Sequence, residues 1–81
     1  MYEAIIRIFY PLEEGKIVIH SEKNWDYEIN PVSVDNDRHC YEFHICHDKY
    51  YLSFKPCIRR GPHILWSRGM NKLAIMDMPE V

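Results

Sequence analysis

The sequence predicts an all-β domain in which antiparallel strands form a small sandwich. Three observations carry that expectation. Short runs of alternating apolar and polar residues recur along the chain, turn-forming residues separate them, and no window of helical length repeats its apolar residues at the helical period. At 81 residues the chain has room for one domain, near the lower size at which a core forms without help. Residues 1–76 are expected to make the sandwich and residues 77–81, Asp77-Met78-Pro79-Glu80-Val81, a tail or the start of a linker.

The first strand is read where Ala4, Ile6, Ile8 and Tyr10 alternate with Ile5, Arg7 and Phe9; it stops at Pro11, which has no N–H to give a ladder. Glu13-Glu14-Gly15 turns the chain into a second strand, Lys16 to Ser21, with Ile17 and Ile19 on one face and Val18 and His20 on the other. A polar loop carrying Trp25 follows, then a weaker strand around Val32 and Val34. Asp35-Asn36-Asp37 is a turn by composition, because short Asx side chains bond their own backbone. Beyond it Tyr41, Phe43 and Ile45 share one strand face and Cys40, Glu42 and His44 the other, until His47-Asp48-Lys49. Tyr50 to Lys55 is a further strand. Pro56 and Arg59-Arg60-Gly61-Pro62 imply a loop before a short strand at Ile64-Leu65-Trp66, and Arg68-Gly69 separates that from a last strand at Leu73 to Met76. The expected core is Ala4, Ile6, Ile8, Ile17, Ile19, Phe43, Leu52, Phe54 and Ile75.

Composition narrows the function. Ten Lys and Arg against twelve Asp and Glu give a net charge of −2, so no overall positive field favours nucleic acid or an anionic membrane. No apolar run approaches the roughly 20 residues that span a bilayer, and Tyr2-Glu3-Ala4-Ile5-Ile6-Arg7 lacks the basic start of an export signal. The chain is expected to be cytoplasmic. Cys40, Cys46 and Cys57 are an odd number, which fits free thiols in a reducing compartment better than a disulfide scaffold.

Cys40, His44, Cys46 and His47 invite a zinc reading. Residues four apart on a strand lie about 13 Å apart, so they cannot share one tetrahedral ion. Only His44 and Cys46 would chelate together, and a full site would need His39 or His63 as well. No metal or cofactor is expected. Catalysis has weak support: cysteine, histidine and aspartate are present, but the chain lacks a Gly-x-Ser-x-Gly elbow, a phosphate loop and a His-Glu-x-x-His pair. Arg59-Arg60 reads as a solvated loop or, with Lys55 and His63, as a surface for an acidic partner.

A tryptophan in a polar setting, Lys23-Asn24-Trp25-Asp26, is the most specific functional signal. Together with Phe54-Lys55, a Gly-containing turn, Trp66, and Asn71 before an apolar strand, it resembles the early-set immunoglobulin-like carbohydrate-binding modules, and among these the family-48 glycogen-binding modules. The resemblance implies an immunoglobulin-like antiparallel β-sandwich. It also implies that Trp25 contacts glucan rings and Asn71 hydrogen-bonds sugar hydroxyls, with Lys55 and Trp66 near the family's lysine and second tryptophan. The sequence departs from the pattern at Ser21-Glu22-Lys23, where a Gly-aromatic step is usual, and at Arg60-Gly61, where Asp-Gly is usual.

Independently of the family, axial C–H groups of pyranose rings pack on indole faces while their hydroxyls seek amide or charged partners, so two tryptophans with an asparagine and a lysine suffice for a sugar site. The plainer alternative is that Trp66, between Ile64-Leu65 and the next turn, is a core aromatic. The reading is therefore a non-catalytic module recognising α-glucan or a related sugar, accessory to an adjacent catalytic domain. One alternative is a structural or protein-interaction domain that orients a neighbouring glycosidase or α/β-hydrolase esterase without sugar binding. Another is a metal-binding stress or redox domain.

Overall fold

The computed structural model describes residues 1–67 and 69–75; the expected tail at 77–81, and Met76 of the last strand, lie outside the described residues. Among the described residues there are eight strands and no helix: β1 (Tyr2–Phe9), β2 (Lys16–Ser21), β3 (Asn24–Ile29), β4 (Ser33–Asp35), β5 (Cys40–His47), β6 (Tyr51–Arg60), β7 (His63–Trp66) and β8 (Lys72–Ile75). They form an all-β domain of two antiparallel sheets. One has the order β1-β5-β4; the other, with the order β3-β2-β6-β7 and with β8 also on β6, curls into a half-barrel.

The three-stranded sheet follows the sequence pattern closely. β1 and β5 pair along their whole length, from Tyr2 opposite His47 to Phe9 opposite Cys40. This register puts Ala4, Ile6 and Ile8 beside Ile45, Phe43 and Tyr41 on the inner face. The expected Asx turn is present: Asp35 Oδ1 accepts from the N–H of Asp37 at 3.1 Å and of Arg38 at 3.3 Å. His39 ends that turn with a positive φ of 54°, a conformation that the turn geometry imposes on a non-glycine residue.

Three expectations are corrected in the five-stranded sheet. First, Trp25 lies in no loop. Glu22 and Lys23 alone make the turn after β2, and Asn24–Ile29 returns as a strand whose first four residues are exposed. Trp25, Tyr27 and Ile29 alternate with Asp26 and Glu28, a two-residue period masked by the two acidic residues of this edge strand. Second, β6 does not end at Lys55 but runs through Pro56 to Arg60. N–H and C=O of one strand residue point to the same side, and the Pro56 carbonyl accepts from the N–H of Ser67 at 3.1 Å. The missing donor therefore faces the break between β8, which pairs with Tyr51–Phe54, and β7, which pairs with Cys57–Arg60. Third, Ile75 is not in the core. Ala74 sits opposite Leu52 and turns inward, leaving Leu73 and Ile75 on the outer face, with Ile75 68% exposed.

The core between the sheets consists of Ala4, Ile17, Ile19, Tyr41, Phe43, Ile45, Leu52 and Phe54. Ile6 and Ile8, expected in it, are only partly buried and pack against it. Gly15 is required where the chain enters β2: its φ is +92°, and a Cβ there would stand 2.5 Å from the Arg59 carbonyl oxygen. At the other end of β2 the Glu22-Lys23 turn ties the two sheets together. Lys23 Nζ donates to the Cys46 carbonyl at 2.6 Å, and Glu22 Oε1 accepts from the Ser53 N–H at 3.0 Å while lying 3.8 Å from His47 Nε2.

Candidate functional site

The outer face of the five-stranded sheet carries a second buried patch, separate from the core. Val18 and His20 on β2 and Cys57 on β6 are almost inaccessible, although all three point away from the other sheet. An alternating strand whose outward residues are buried needs something above them, and Trp66 on β7 is part of that cover. Its ring lies on the His20 ring with centroids 4.7 Å apart and planes tilted by 49°. Glu28 on edge strand β3 forms an ion pair with Arg59 on β6, and both act on the charge of Cys57. The Cys57 thiol is pushed from its ordinary 9.0 up to about 11, first by burial and then by Glu28.

His20 is the hub of this face. Its Nδ1–H donates to the Trp25 carbonyl at 2.6 Å, and its Nε2 is buried and without a hydrogen-bond partner among the described residues. Lys55 is its cross-strand neighbour. The Lys55 ammonium donates to the Gly69 carbonyl at 3.0 Å, which ties β6 to the connection between β7 and β8. Asn71 immediately precedes Lys72, which pairs with Phe54 at the end of the β6–β8 ladder. Asn71 is exposed, Trp25 is 39% exposed and Trp66 47% exposed.

Three of the four predicted sugar-site residues touch or pair with His20: Trp66 lies against its ring, Lys55 is opposite it across the ladder, and Trp25 bonds to its Nδ1 through the main-chain carbonyl and not the indole; Asn71 lies one residue ahead of β8. Trp66 belongs neither to the core nor to open solvent, since one part of it covers His20. His20 itself was not singled out from the sequence. The only signal was a histidine flanked by Ile19 and Ser21 on a strand whose other residues are mostly aliphatic.

The residues of the zinc reading are spread out. Cys40 sits at the start of β5 and pairs with Phe9 and Asp35; His44 Nε2–H donates to Glu42 Oε2 at 3.2 Å; His47 lies against Glu22 and Asp48. Among the described residues no three His, Cys, Asp or Glu side chains stand together as a metal site. Cys40, Cys46 and Cys57 are all free thiols.

A different concavity opens at the edge of the sandwich, where the half-barrel extends past β1. It is a cleft of about 270 Å³ between Ile8 and Tyr10 on one side and Ile58, Leu65 and Trp66 on the other. Its lining is predominantly apolar, and the Ser67 hydroxyl at its rim is buried with no partner among the described residues.

No protein-family model, curated protein or solved structure matches the chain. The site geometry carries the functional argument.

Proposed function

We propose that the chain is a non-catalytic carbohydrate-recognition module on an immunoglobulin-like, early-set sandwich, similar to the family-48 glycogen-binding modules and accessory to an enzyme domain in the cytoplasm. One observation supports this reading: the half-exposed Trp66 lies on the buried His20 ring, Lys55 stands opposite His20 across the ladder, and the main chain of half-exposed Trp25 bonds to His20, with Asn71 just ahead of β8. The indoles offer ring faces to the axial C–H groups of a glucan, and the Lys55 ammonium and Asn71 amide offer hydroxyl partners at the rim. Holding Trp66 on His20 and Lys55 on Gly69 fixes these groups before a ligand arrives, which lowers the ordering cost of binding.

Affinity is expected to be weak, because a shallow face buries little of the sugar and each hydroxyl exchanges a water partner for a protein one. Titration with maltoheptaose, followed by tryptophan fluorescence and amide shifts, should move the residues around His20. Trp25→Ala and Trp66→Ala should each remove most of the response. A flat titration at millimolar sugar excludes the glucan reading.

The apolar cleft favours a second reading, a protein-interaction domain that orients a neighbouring glycosidase or esterase domain. Ile8, Ile58 and Leu65 line this cleft, and Leu65 is 49% exposed, which gives it an apolar surface suited to protein contact. Under this reading the sugar titration is flat and shortening Leu65 weakens attachment to the enzyme domain.

A further inference from the structure

We propose that β1 is a homodimer interface, in which two copies of this chain join their β1 edges antiparallel about a two-fold axis through Ile5. β1 forms a ladder only with β5; β8 of the other sheet approaches it, but no strand among the described residues is hydrogen-bonded to its other edge. The remaining free edges are poor templates. β4, β7 and β8 are three or four residues long, and β3 carries Asp26 and Glu28 and a register shift against β2. β1 runs for eight residues without lysine, proline or irregularity, and its outward residues Ile5 and Phe9 are 56% and 65% exposed.

The backbone decides which groups face that edge. The Tyr10 N–H donates to the His39 carbonyl at 2.9 Å, extending the β1–β5 register by one pair. Because N–H and C=O groups alternate sides along a strand, the even-numbered residues of β1 bond to β5. Glu3, Ile5, Arg7 and Phe9 therefore direct their N–H and C=O groups to the free edge. Two such edges bond to each other only when odd residues face odd residues, and centring the pair on Ile5 meets this condition.

That register is also the one in which the charges complement each other. Glu3 falls opposite the partner's Arg7, and Arg7 opposite the partner's Glu3, on the outer face on either side of an Ile5 pair. Arg7 already gives its Nε–H to Glu42 at 2.8 Å, and a guanidinium has further N–H groups for a second carboxylate. On the inner face Tyr2 falls opposite the partner's Ile8, at the mouth of the apolar cleft formed by Ile8, Tyr10 and Leu65. The two three-stranded sheets become one continuous sheet, and the interface is self-complementary as two-fold symmetry requires.

Sedimentation over a concentration series tests the proposal. The unaltered chain should pass from monomer to dimer, and Glu3→Arg and Arg7→Glu should each weaken the dimer about tenfold, because each turns two opposed charge pairs into like-charge pairs. Mixing the two variants in equal amounts should restore dimerisation, since the mixed dimer recovers Glu–Arg opposition at both positions. The double variant should dimerise by itself. A chain that stays monomeric at millimolar concentration, a dimer indifferent to both substitutions, or variants that do not rescue each other would each overturn the proposal. Should loss of the Arg7–Glu42 pair unfold the Arg7→Glu chain, amide exchange on the unaltered protein decides. The amides of Glu3, Ile5 and Arg7 should gain protection as concentration rises, while those of Ala4, Ile6 and Ile8 are protected throughout. Equal protection of both sets at every concentration would refute the assigned edge.

Discussion

β1 and β2 are consecutive strands rich in isoleucine, yet the molecule uses them differently. β1 alternates between exposed residues and ones that are half-buried or, at Ala4, buried, whereas every residue of β2 after Lys16 is buried. Their positions explain the difference. β1 is an edge strand of a three-stranded sheet with one face on the core and the other toward water, while β2 is central in the half-barrel, between β3 and β6. Ile17 and Ile19 enter the core, and Val18 and His20 enter the smaller patch under Trp66. Apolar content alone does not distinguish a strand with one buried face from a strand with two.

The largest expected effect breaks the core side of that comparison. Ile19 has no accessible surface, and Ile19→Ala should cost about 2–5 kcal/mol in urea unfolding, through lost transfer free energy plus the cavity left behind. The second tests whether the outer patch is a true interior. Val18 is also inaccessible, and Val18→Ala should cost about 1–2 kcal/mol, from the methylene-scale burial of its two lost methyl groups. A loss within about 0.5 kcal/mol, the ordinary range for surface positions, would mean that the patch is solvated in solution and that β2 behaves like β1.

The sequence was most legible where one face of a strand meets the core and the other meets water. The alternation of β5, the first strand and the Asp35 turn are all present as expected, because period two and Asx chemistry are local properties. Legibility failed where context overrides a local sign. Pro56 reads as a strand breaker, yet its missing N–H falls at the break between two partner strands. Ile75 reads as a core residue of β8, but the register opposite Leu52 assigns that place to Ala74, and a shift of one residue exchanges the faces of a whole strand. For the candidate site, Trp25, Lys55, Trp66 and Asn71 could be singled out by residue type. His20, which Trp66 covers, could not, because burial on the outward face of a strand depends on a side chain forty-six positions away.

Cys57 supplies the third test, of intermediate size. Its thiol lies in the outer patch and holds its proton up to about pH 11, whereas in the unfolded chain it ionises from its ordinary 9.0. The folded state then binds more protons between these values, so stability should fall as pH rises from about 9 to about 11 and should be insensitive to this group below that window. Cys57→Ala should abolish that part of the pH dependence. At neutral pH an aromatic disulfide reagent should modify exposed Cys46 first and reach Cys57 only on unfolding. Rapid labelling of all three thiols in the native protein would place Cys57 on an open face like that of β1.

The smallest effect is expected at Ile5, and it separates the strand from its edge. In a dilute monomer the Ile5 side chain is more than half exposed on the outer face of β1, and Ile5→Thr keeps the β-branched shape that suits a strand. Unfolding of the dilute protein should therefore change by no more than about 0.5 kcal/mol. At high concentration the same side chain would lie against its symmetry mate on the two-fold axis, and the substitution should lower the concentration dependence of the melting temperature without altering the dilute value. A cost that is large and equal at both concentrations would show that Ile5 packs within a single chain. β1 would then share the two-sided burial of β2, and the contrast between the two strands would disappear.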